Sequence, residues 1–280
     1  MLSLVNLLAA VEDRPKDESG TFLVDGNGRG VRGLVFVEAG RVCWAAAPGG
    51  SVRLRALLHR HAARPLTDAE FDDALEECRR TLRPLAELLI ERGLISADGL
   101  RTALKQHTVE SLIAHCDGSP RTMIWVPHRQ RGYLARFTFS PIELLAAAGA
   151  QLYPSESAGA AHGVLTELAA VTAGSFAIGD EDEPVAVWTT GAAAWRVRDL
   201  VELGGWAAAA LAVCNGFSPA VMDRAIARMT GATALGWRST RRLVHAAVID
   251  DPSVLVRIVT ELAQRGLPAV LSSRVPTSHP

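Results

Sequence analysis

Three short segments near the start of the chain are rich in apolar, strand-favouring residues and are separated by turn-forming residues. The segments are Thr21–Asp25, Gly33–Glu38 and Arg41–Ala45, and a run of Gly-Asn-Gly-Arg-Gly fills positions 26–30. Short runs rich in Val and aromatic residues and bounded by Gly or Asn are typical of β-strands, and Gly or Asn supplies the positive φ that tight antiparallel turns need. We therefore expect an antiparallel β-meander, a sheet that must be packed with helices from elsewhere in the chain.

Helical patterns precede and follow this meander. Residues 3–11 form a short apolar stretch with Ser3 placed to cap it, and Thr67-Asp-Ala-Glu70 matches the capping-box pattern before a helix. Pro84 should end or kink that helix, and Ser96 opens another one whose apolar stripe includes Leu100 and Leu112. These patterns predict a helical insertion over about 67–116.

The first module is then expected to close with two strands and a helix. Residues Thr122–Val126 and Tyr133–Phe139 have strand-like composition, and Ser140-Pro-Ile-Glu143 places a cap, a first-turn proline and a glutamate at helix-start spacing. That helix is expected to end near Gly149.

Residues 150–163 contain several helix and strand breakers and no periodic pattern, which predicts a domain boundary there. We expect a first domain over 1–149, a linker over 150–163, a second domain over 164–267 and a disordered tail over 268–280. The fold class predicted for both modules is α/β of the α+β type, with a small and mostly antiparallel sheet packed with helices in each.

The second module shows its own succession of elements. The patterns predict the following, in order: a helix from about Val164, strands over Ser175–Ile178 and Val185–Thr189, a helix from Ala192 broken by Asn215–Pro219, strands near Thr233–Trp237 and Leu243–Ile249, and a closing helix from Asp251 to Gly266.

Composition restricts the classes of function. The formal net charge of −1 provides no field for nucleic acid or anionic lipid, and hydrophobic residues at 49% indicate a globular chain. The longest apolar stretch, Trp206–Cys214, is shorter than the roughly 20 residues that a membrane span needs. The four cysteines lie far apart and the first residues lack a basic stretch, so we expect a soluble, cytoplasmic protein with reduced thiols.

No motif for chemistry stands out. The glycine run at 26–30 lacks the lysine of a phosphate-binding loop, and a strand rather than a helix follows it. His59 and His61 would face different sides of a helix, as would His115 and Cys116, so neither pair suits a metal ion. No GxSxG element occurs. We therefore predict no catalytic residues, no cofactor and no metal, and a protein that is not an enzyme.

Charged runs and tryptophans are the candidate interaction residues. The acidic run Asp180–Glu183 is either a solvated hairpin tip or a docking patch for a basic partner. The basic run Arg238–Arg242 is either a solvated turn or a contact patch. Tryptophans are candidates because several are expected near an apolar surface. The candidates are Asp180, Glu181, Asp182, Glu183, Arg238, Arg241, Arg242, Trp188 and Trp206.

The first module, about residues 1–148, resembles the DUF4388 or PATAN domain family. The resemblance is carried by the Ser3–Val11 helix, by Gly20-Thr-Phe-Leu-Val, by Gly33 to Ala45 with its G-x-hydrophobic-x-F strand, and by Leu85 to Ser96. The segment from Gly93 to Leu104 is also similar to a helical unit in the N-terminal region of type II secretion and type IV pilus ATPases. The resemblance implies protein–protein contacts in bacterial signalling or motility, without enzymatic activity.

The second module resembles roadblock/LC7 domains. The residues that carry the resemblance are Gly174-Ser-Phe-Ala-Ile-Gly-Asp in the first strand and turn, and Leu243-Val-His-Ala-Ala-Val-Ile-Asp in a late strand. The family implies a homodimer and contact with small Ras-like GTPases. The sequence departs from it in the middle, where Asn215–Pro219 interrupts an expected long helix.

The sequence therefore favours a cytoplasmic signalling or scaffolding adaptor that acts through protein–protein interaction, as a homodimer, with a small GTPase or a motility or secretion regulator as partner. One alternative is an enzyme or small-molecule sensor with a pocket between the two modules, since domain interfaces favour pockets. Another is a winged-helix-like DNA binder, suggested by a helix over 96–116 followed by a hairpin. Nucleic acid and membrane insertion are not expected for the favoured interpretation.

Overall fold

The computed structural model describes residues 2–25, 30–48, 50–81, 83–116, 121–152, 174–178, 184–188, 196–217, 224–229, 232–238, 244–249 and 256. The chain divides into two compact units, Met1–Leu144 and Leu145–Pro280. Each unit contains an antiparallel sheet and helices that follow or interrupt its strands. The predicted α+β fold class is confirmed.

The first unit is built around a four-stranded sheet of order β3-β2-β1-β4. Its elements are α1 (Leu4–Glu12), β1 (Ser19–Asp25), β2 (Val31–Glu38), β3 (Arg41–Ala46), α2 (Gly50–Arg60), α3 (Asp68–Thr81), α4 (Leu85–Glu91), α5 (Ala97–His115), β4 (Thr122–Pro127), a 3₁₀ turn (Ala135–Phe137) and the first turn of α6 (Pro141–Leu152), a helix that continues past the unit boundary at Leu144. All three neighbouring strand pairs are antiparallel, which confirms the predicted meander of β1, β2 and β3. Strand β4 returns to pair with β1 after the helices.

The predicted helix starts are confirmed by their capping hydrogen bonds. Ser3 and Ser96 each accept a hydrogen bond from the backbone N–H three residues later, at 3.1 and 3.0 Å. Thr67 and Glu70 form the reciprocal capping box, in which the Glu70 carboxylate accepts from the Thr67 N–H at 2.9 Å and the Thr67 hydroxyl accepts from the Glu70 N–H at 3.3 Å. Ser140 caps α6 in the same way, although this helix extends to Leu152, beyond the expected end near Gly149.

Helix α2 lies before the predicted insertion and was not expected. It packs against α5, and its buried Leu57 and Leu58 join Phe71, Leu89 and Leu100 in one apolar cluster. The helical part of the first unit is therefore a small bundle of α2 to α5 with its own core. Helix α5 also contacts β3, so it connects this bundle to the sheet.

The predicted strand over Tyr133–Phe139 is wrong. The segment contains a 3₁₀ turn at Ala135–Phe137, and only Phe139 pairs with a strand residue, Val42 of β3. The carboxylate of Glu38 accepts hydrogen bonds from the backbone N–H groups of Arg131 and Tyr133. Because a side chain satisfies these donors, the start of the segment needs no ladder partner.

The second unit contains a five-stranded antiparallel sheet of order β6-β5-β9-β8-β7. Its described elements are β5 (Gly174–Ile178), β6 (Pro184–Trp188), α7 (Val197–Phe217), β7 (Arg224–Met229), β8 (Ala232–Arg238) and β9 (Val244–Ile249). The predicted strands in regions 175–189, 233–237 and 243–249 are confirmed. Strand β7 was not predicted from the sequence.

Helix α7 runs through Asn215 and ends at Phe217, inside the predicted break over Asn215–Pro219, so the expected end of this helical run is confirmed. It crosses β8 closely, because a Cβ atom at Gly236 would lie 2.8 Å from the Cβ of Ala207. Glycine at this position lets the helix approach the sheet.

Several predictions concern residues outside the described ranges. These are the linker apart from 150–152, the helix from Val164, the closing helix apart from Val256, which is helical, and the tail over 268–280. Among the helices that the structure describes, none is both long and apolar enough to cross a bilayer.

Candidate functional site: an apolar face of the N-terminal sheet

The two faces of the N-terminal sheet differ in burial. Phe22 and Val35 form a register pair, as do Val35 and Ala45, so these residues share one face, and all are buried. Val24 and Val37 belong to the same face and are fully buried. This face supplies the sheet's share of the core.

The opposite face carries rows of apolar residues that are only partly covered. Leu34, Leu23 and Ile124 are register partners across β2, β1 and β4, and Ile124 is 53% exposed. The next row joins Phe36, Thr21 and Val126, and Val126 is 40% exposed. Val31, beside Asp25 at one end, is 56% exposed. We call this surface the open face, consisting of Leu23, Val31, Leu34, Phe36, Ile124 and Val126.

One end of the open face is covered by the segment that follows β4. An imidazole nitrogen of His128 lies 3.0 Å from the Thr21 hydroxyl, and the Arg131 guanidinium lies over the Phe36 ring at 5.2 Å from its centroid. Glu38 holds this segment through its backbone, as described above, and is itself only 8% exposed. The segment therefore sets a polar boundary beside the row of Phe36 and Val126.

Helix α5 presents a polar stripe to the interior. Four of its buried residues, at one-turn spacing, are His107, Thr108, Ser111 and His115. The His107 ring stacks on Trp44 with centroids 4.4 Å apart, and burial lowers the pKa of His107, opposed by the Glu110 carboxylate and the backbone of Ala45. A histidine held neutral in such a stack is a packing element rather than a general base poised near neutral pH.

The buried thiol of the same unit is also held in its neutral form. Burial raises the pKa of Cys43 to about 12, and the nearby Glu38 carboxylate adds to the effect. A thiol at this pKa is a poor nucleophile, since the thiolate is the reactive form. Within the described ranges, no group of three or more His, Cys, Asp or Glu side chains is arranged to hold a metal ion.

The interaction residues predicted in the second unit are partly described. Arg238 is the last residue of β8 and pairs with Val244, and Trp188 is the last residue of β6. Trp206 is half-buried on α7, and a Cβ atom at Gly236 would lie 3.6 Å from its ring. Six further candidates lie outside the described residues: Asp180, Glu181, Asp182, Glu183, Arg241 and Arg242.

The strands that border the two charged runs are neighbours. Ile178 at the end of β5 pairs with both Pro184 of β6 and Val244 of β9, and Val244 pairs with Arg238 of β8. The strand ends that border residues 180–183 and 239–242 therefore lie at the same end of the sheet, on adjacent strand pairs.

The open face was missed by reasoning from the sequence. Strand β4 was expected, but its own sequence does not indicate which face of the sheet the helices cover. The available signal was its lack of any charged residue over Thr122–Pro127, which is unusual for a strand with two exposed apolar side chains.

Comparison with known proteins adds little. No family model and no curated protein matches the chain. Among solved structures it is similar to Myxococcus xanthus MglB, with 12% identity, a TM-score of 0.30, and coverage of 41% of this chain and 87% of that chain. A likeness at this TM-score carries no argument about function, so the proposals below depend on the residues themselves.

Proposed function

We propose that this protein is a non-catalytic signalling or scaffolding adaptor that binds a partner protein through the open face of its N-terminal sheet. The observation that carries the proposal is the set of apolar side chains on this face, three of which are 40% exposed or more. A contiguous exposed apolar surface with a polar border is typical of protein-binding sites.

The charges around the open face indicate the chemistry of the partner. Three exposed arginines border it: Arg32 follows Val31, and Arg129 and Arg131 belong to the segment that crosses its end. Asp25 is the half-buried acidic residue of the same face. A partner surface with an apolar centre and an acidic rim would complement this arrangement.

The non-catalytic part of the proposal is supported by the state of the buried reactive groups. The environments of Cys43 and His107 both favour the uncharged form. Such environments suit packing, whereas catalysis needs groups whose pKa values are matched to proton transfer or nucleophilic attack.

The second unit contributes further proposed contacts. The acidic run Asp180–Glu183, the basic residues Arg238, Arg241 and Arg242, and Trp188 and Trp206 remain candidate interaction residues. The resemblance to roadblock domains makes a small Ras-like GTPase the partner class to test first, and a homodimer the assembly to expect. The resemblance to PATAN domains makes a motility or secretion regulator the alternative partner, and a cytoplasmic location fits either.

The test compares partner binding by the full-length chain and by variants of the open face. The variant Val31→Glu/Leu34→Gln places a charge and an amide on strand β2 of this face. Ile226→Glu is the matched control, because Ile226 is 55% exposed on the edge strand β7 of the other unit. Proteins captured by the wild type are purified and their affinities are measured by calorimetry.

A partner bound through the open face loses at least about tenfold in affinity with Val31→Glu/Leu34→Gln and keeps its affinity for Ile226→Glu. Both variants are checked for native circular dichroism. Equal affinities for the wild type and the open-face variant would refute the proposed binding surface, and turnover of a small molecule by the purified chain would refute the non-catalytic assignment.

A further inference from the structure

Strand β4 differs from the other sheet edges of this protein. Natural edge strands are protected by charges, prolines, bulges or coverage, because their unpaired backbone groups can pair with another chain. Strand β3 contains a bulge near Phe36/Val37 and is bridged at Val42 by Phe139. Strand β7 carries Arg224 and Arg228, and β6 begins with Pro184.

Strand β4 carries no charge, bulge or proline before its last residue. Its sequence from Thr122 to Pro127 has no charged side chain, and its register with β1 has no bulge. In the part of the chain that the structure describes, β1 is the strand that pairs with it, and its outer edge has no strand partner. Ile124 and Val126 on this strand are exposed, which leaves an apolar edge beside the open face.

The direction of the backbone groups along β4 follows from one hydrogen bond. The N–H of His128, the residue after the strand, donates to the Ser19 carbonyl of β1 at 2.9 Å. Because alternate residues of an antiparallel strand point their N–H and C=O groups to opposite sides, Ile124 and Val126 also point toward β1. Met123 and Trp125 therefore present their N–H and C=O groups to the outer edge. The backbone nitrogen of Pro127 also faces this edge, but it carries no hydrogen to donate.

We infer that two copies of this chain pair through the outer edges of their β4 strands, antiparallel and about a two-fold axis at Ile124. This inference rests on the homodimer in the proposed function and names its interface. In this register Met123 lies opposite Trp125 of the partner subunit, and the outward groups of both residues form about four main-chain hydrogen bonds across the axis.

The same register accounts for the side chains. Ile124 lies against Ile124 of the partner subunit in a non-hydrogen-bonded pair, where Cα atoms approach to about 4.5 Å, so each exposed isoleucine covers part of the other. Thr122 faces Val126 of the partner subunit, and Arg121 faces Pro127 of the partner subunit. No like charges oppose each other, and the two open faces become one continuous apolar surface.

The alternative of β7 edges pairing is disfavoured by charge. Arg224 and Arg228 are separated by four residues on that strand, and antiparallel pairing about Ile226 would set each of them opposite an arginine of the second copy. A second copy is therefore better matched to β4 than to β7.

The experiment uses sedimentation equilibrium of the full-length chain and of two variants, Ile124→Lys and Ile124→Glu. Each substitution places two like charges together at the two-fold axis, so each variant alone is expected to raise the dimer Kd at least about tenfold. An equimolar mixture of the two is expected to recover heterodimers, because lysine then faces glutamate. Ile226→Lys is the matched control and should remain dimeric.

Met123→Pro provides a second perturbation that leaves the β1 ladder intact, since the N–H it removes points outward. It should weaken the dimer while circular dichroism stays native. A mixture of the lysine and glutamate variants that stays monomeric overturns the inferred register, and dimers unaffected by either variant overturn the interface while leaving the homodimer in place. A wild type that is monomeric overturns both. Val31→Glu/Leu34→Gln, which lies on β2, should lose partner binding and keep the dimer, so the two proposals fail separately.

Discussion

The contact between Gly33 and His115 allows a quantitative prediction. Gly33 lies on the buried side of β2, and the imidazole of His115, fully buried at the end of α5, occupies the space beside its Cα. A Cβ atom at position 33 would lie 1.8 Å from Cε1 of His115, 2.5 Å from Nε2 and 2.6 Å from Nδ1. A methyl group and this ring cannot both occupy the site, so Gly33→Ala forces the ring to move by about 1.5 Å or more.

The magnitude follows from the burial of the ring. Overpacking a well-packed interior costs about 1–3 kcal/mol. The cost is at the upper end of this range when the displaced ring is fixed between a helix and a sheet, so Gly33→Ala should lower the free energy of unfolding by about 3 kcal/mol. His115→Ala removes the buried ring and should cost about 2 kcal/mol. In the double variant the methyl group occupies part of the vacated space, so its cost should be close to that of His115→Ala alone. The expected coupling between the two sites is about 3 kcal/mol.

The four proteins of this double-mutant cycle are compared by urea unfolding, monitored by circular dichroism at a common m-value. Gly50→Ala is the graded control, because its Cβ would lie 3.1 Å from Cε1 of His107, which demands a shift of only a few tenths of an ångström. Its effect should stay below about 1 kcal/mol. Additive costs of Gly33→Ala and His115→Ala, within about 0.5 kcal/mol, would refute the reasoning.

Three further predictions concern the first unit. Burial lowers the folded-state pKa of His107 below its usual value, so the unfolded state binds the proton more tightly. The free energy of unfolding should therefore fall as the pH drops below about 6.5, and the fall should continue through the folded-state pKa. His107→Phe should flatten this slope in urea titrations between pH 7.5 and 5. With its pKa raised to about 12, Cys43 should react with iodoacetamide at pH 8 far more slowly in the native protein than in urea, and mass spectrometry of the labelled peptides would contradict this by showing equal rates. Ala39 has φ +53°, so Ala39→Gly should stabilise the turn between β2 and β3 by about 0.5 kcal/mol, and a lower unfolding midpoint would show that this backbone is not strained.

Local chemistry explains which predictions from the sequence are confirmed. The caps at Ser3, Thr67, Ser96 and Ser140 depend on residues within three positions of each other, so the sequence contains both partners of each hydrogen bond. The glycine-marked strands of the meander are similar, since turns and short apolar runs are properties of short segments.

The wrong and missed elements depend on distant residues. Tyr133–Phe139 has the composition of a strand, but Glu38, almost a hundred positions earlier, satisfies backbone donors near its start. Strand β7 has the sequence Arg-Ala-Ile-Ala-Arg-Met, which is not a clear strand pattern, and it depends on its pairing with β8. Helix α2 is stabilised by the cluster around Leu57 and Leu58, whose other members come from α3, α4 and α5.

The sequence by itself determined where most helices and strands begin, that both modules combine helices with antiparallel strands, and which reactive motifs are missing from it, because each of these depends on spacing along the chain. Only the tertiary structure decided which face of the first sheet the helices cover and which side of β4 lacks a strand partner among the described residues. The same strand residues suit either face equally well, and the choice depends on where α5 packs. At β2 the ring of His115, at the end of α5, lies over Gly33, on the face opposite to that of Leu34 and Phe36.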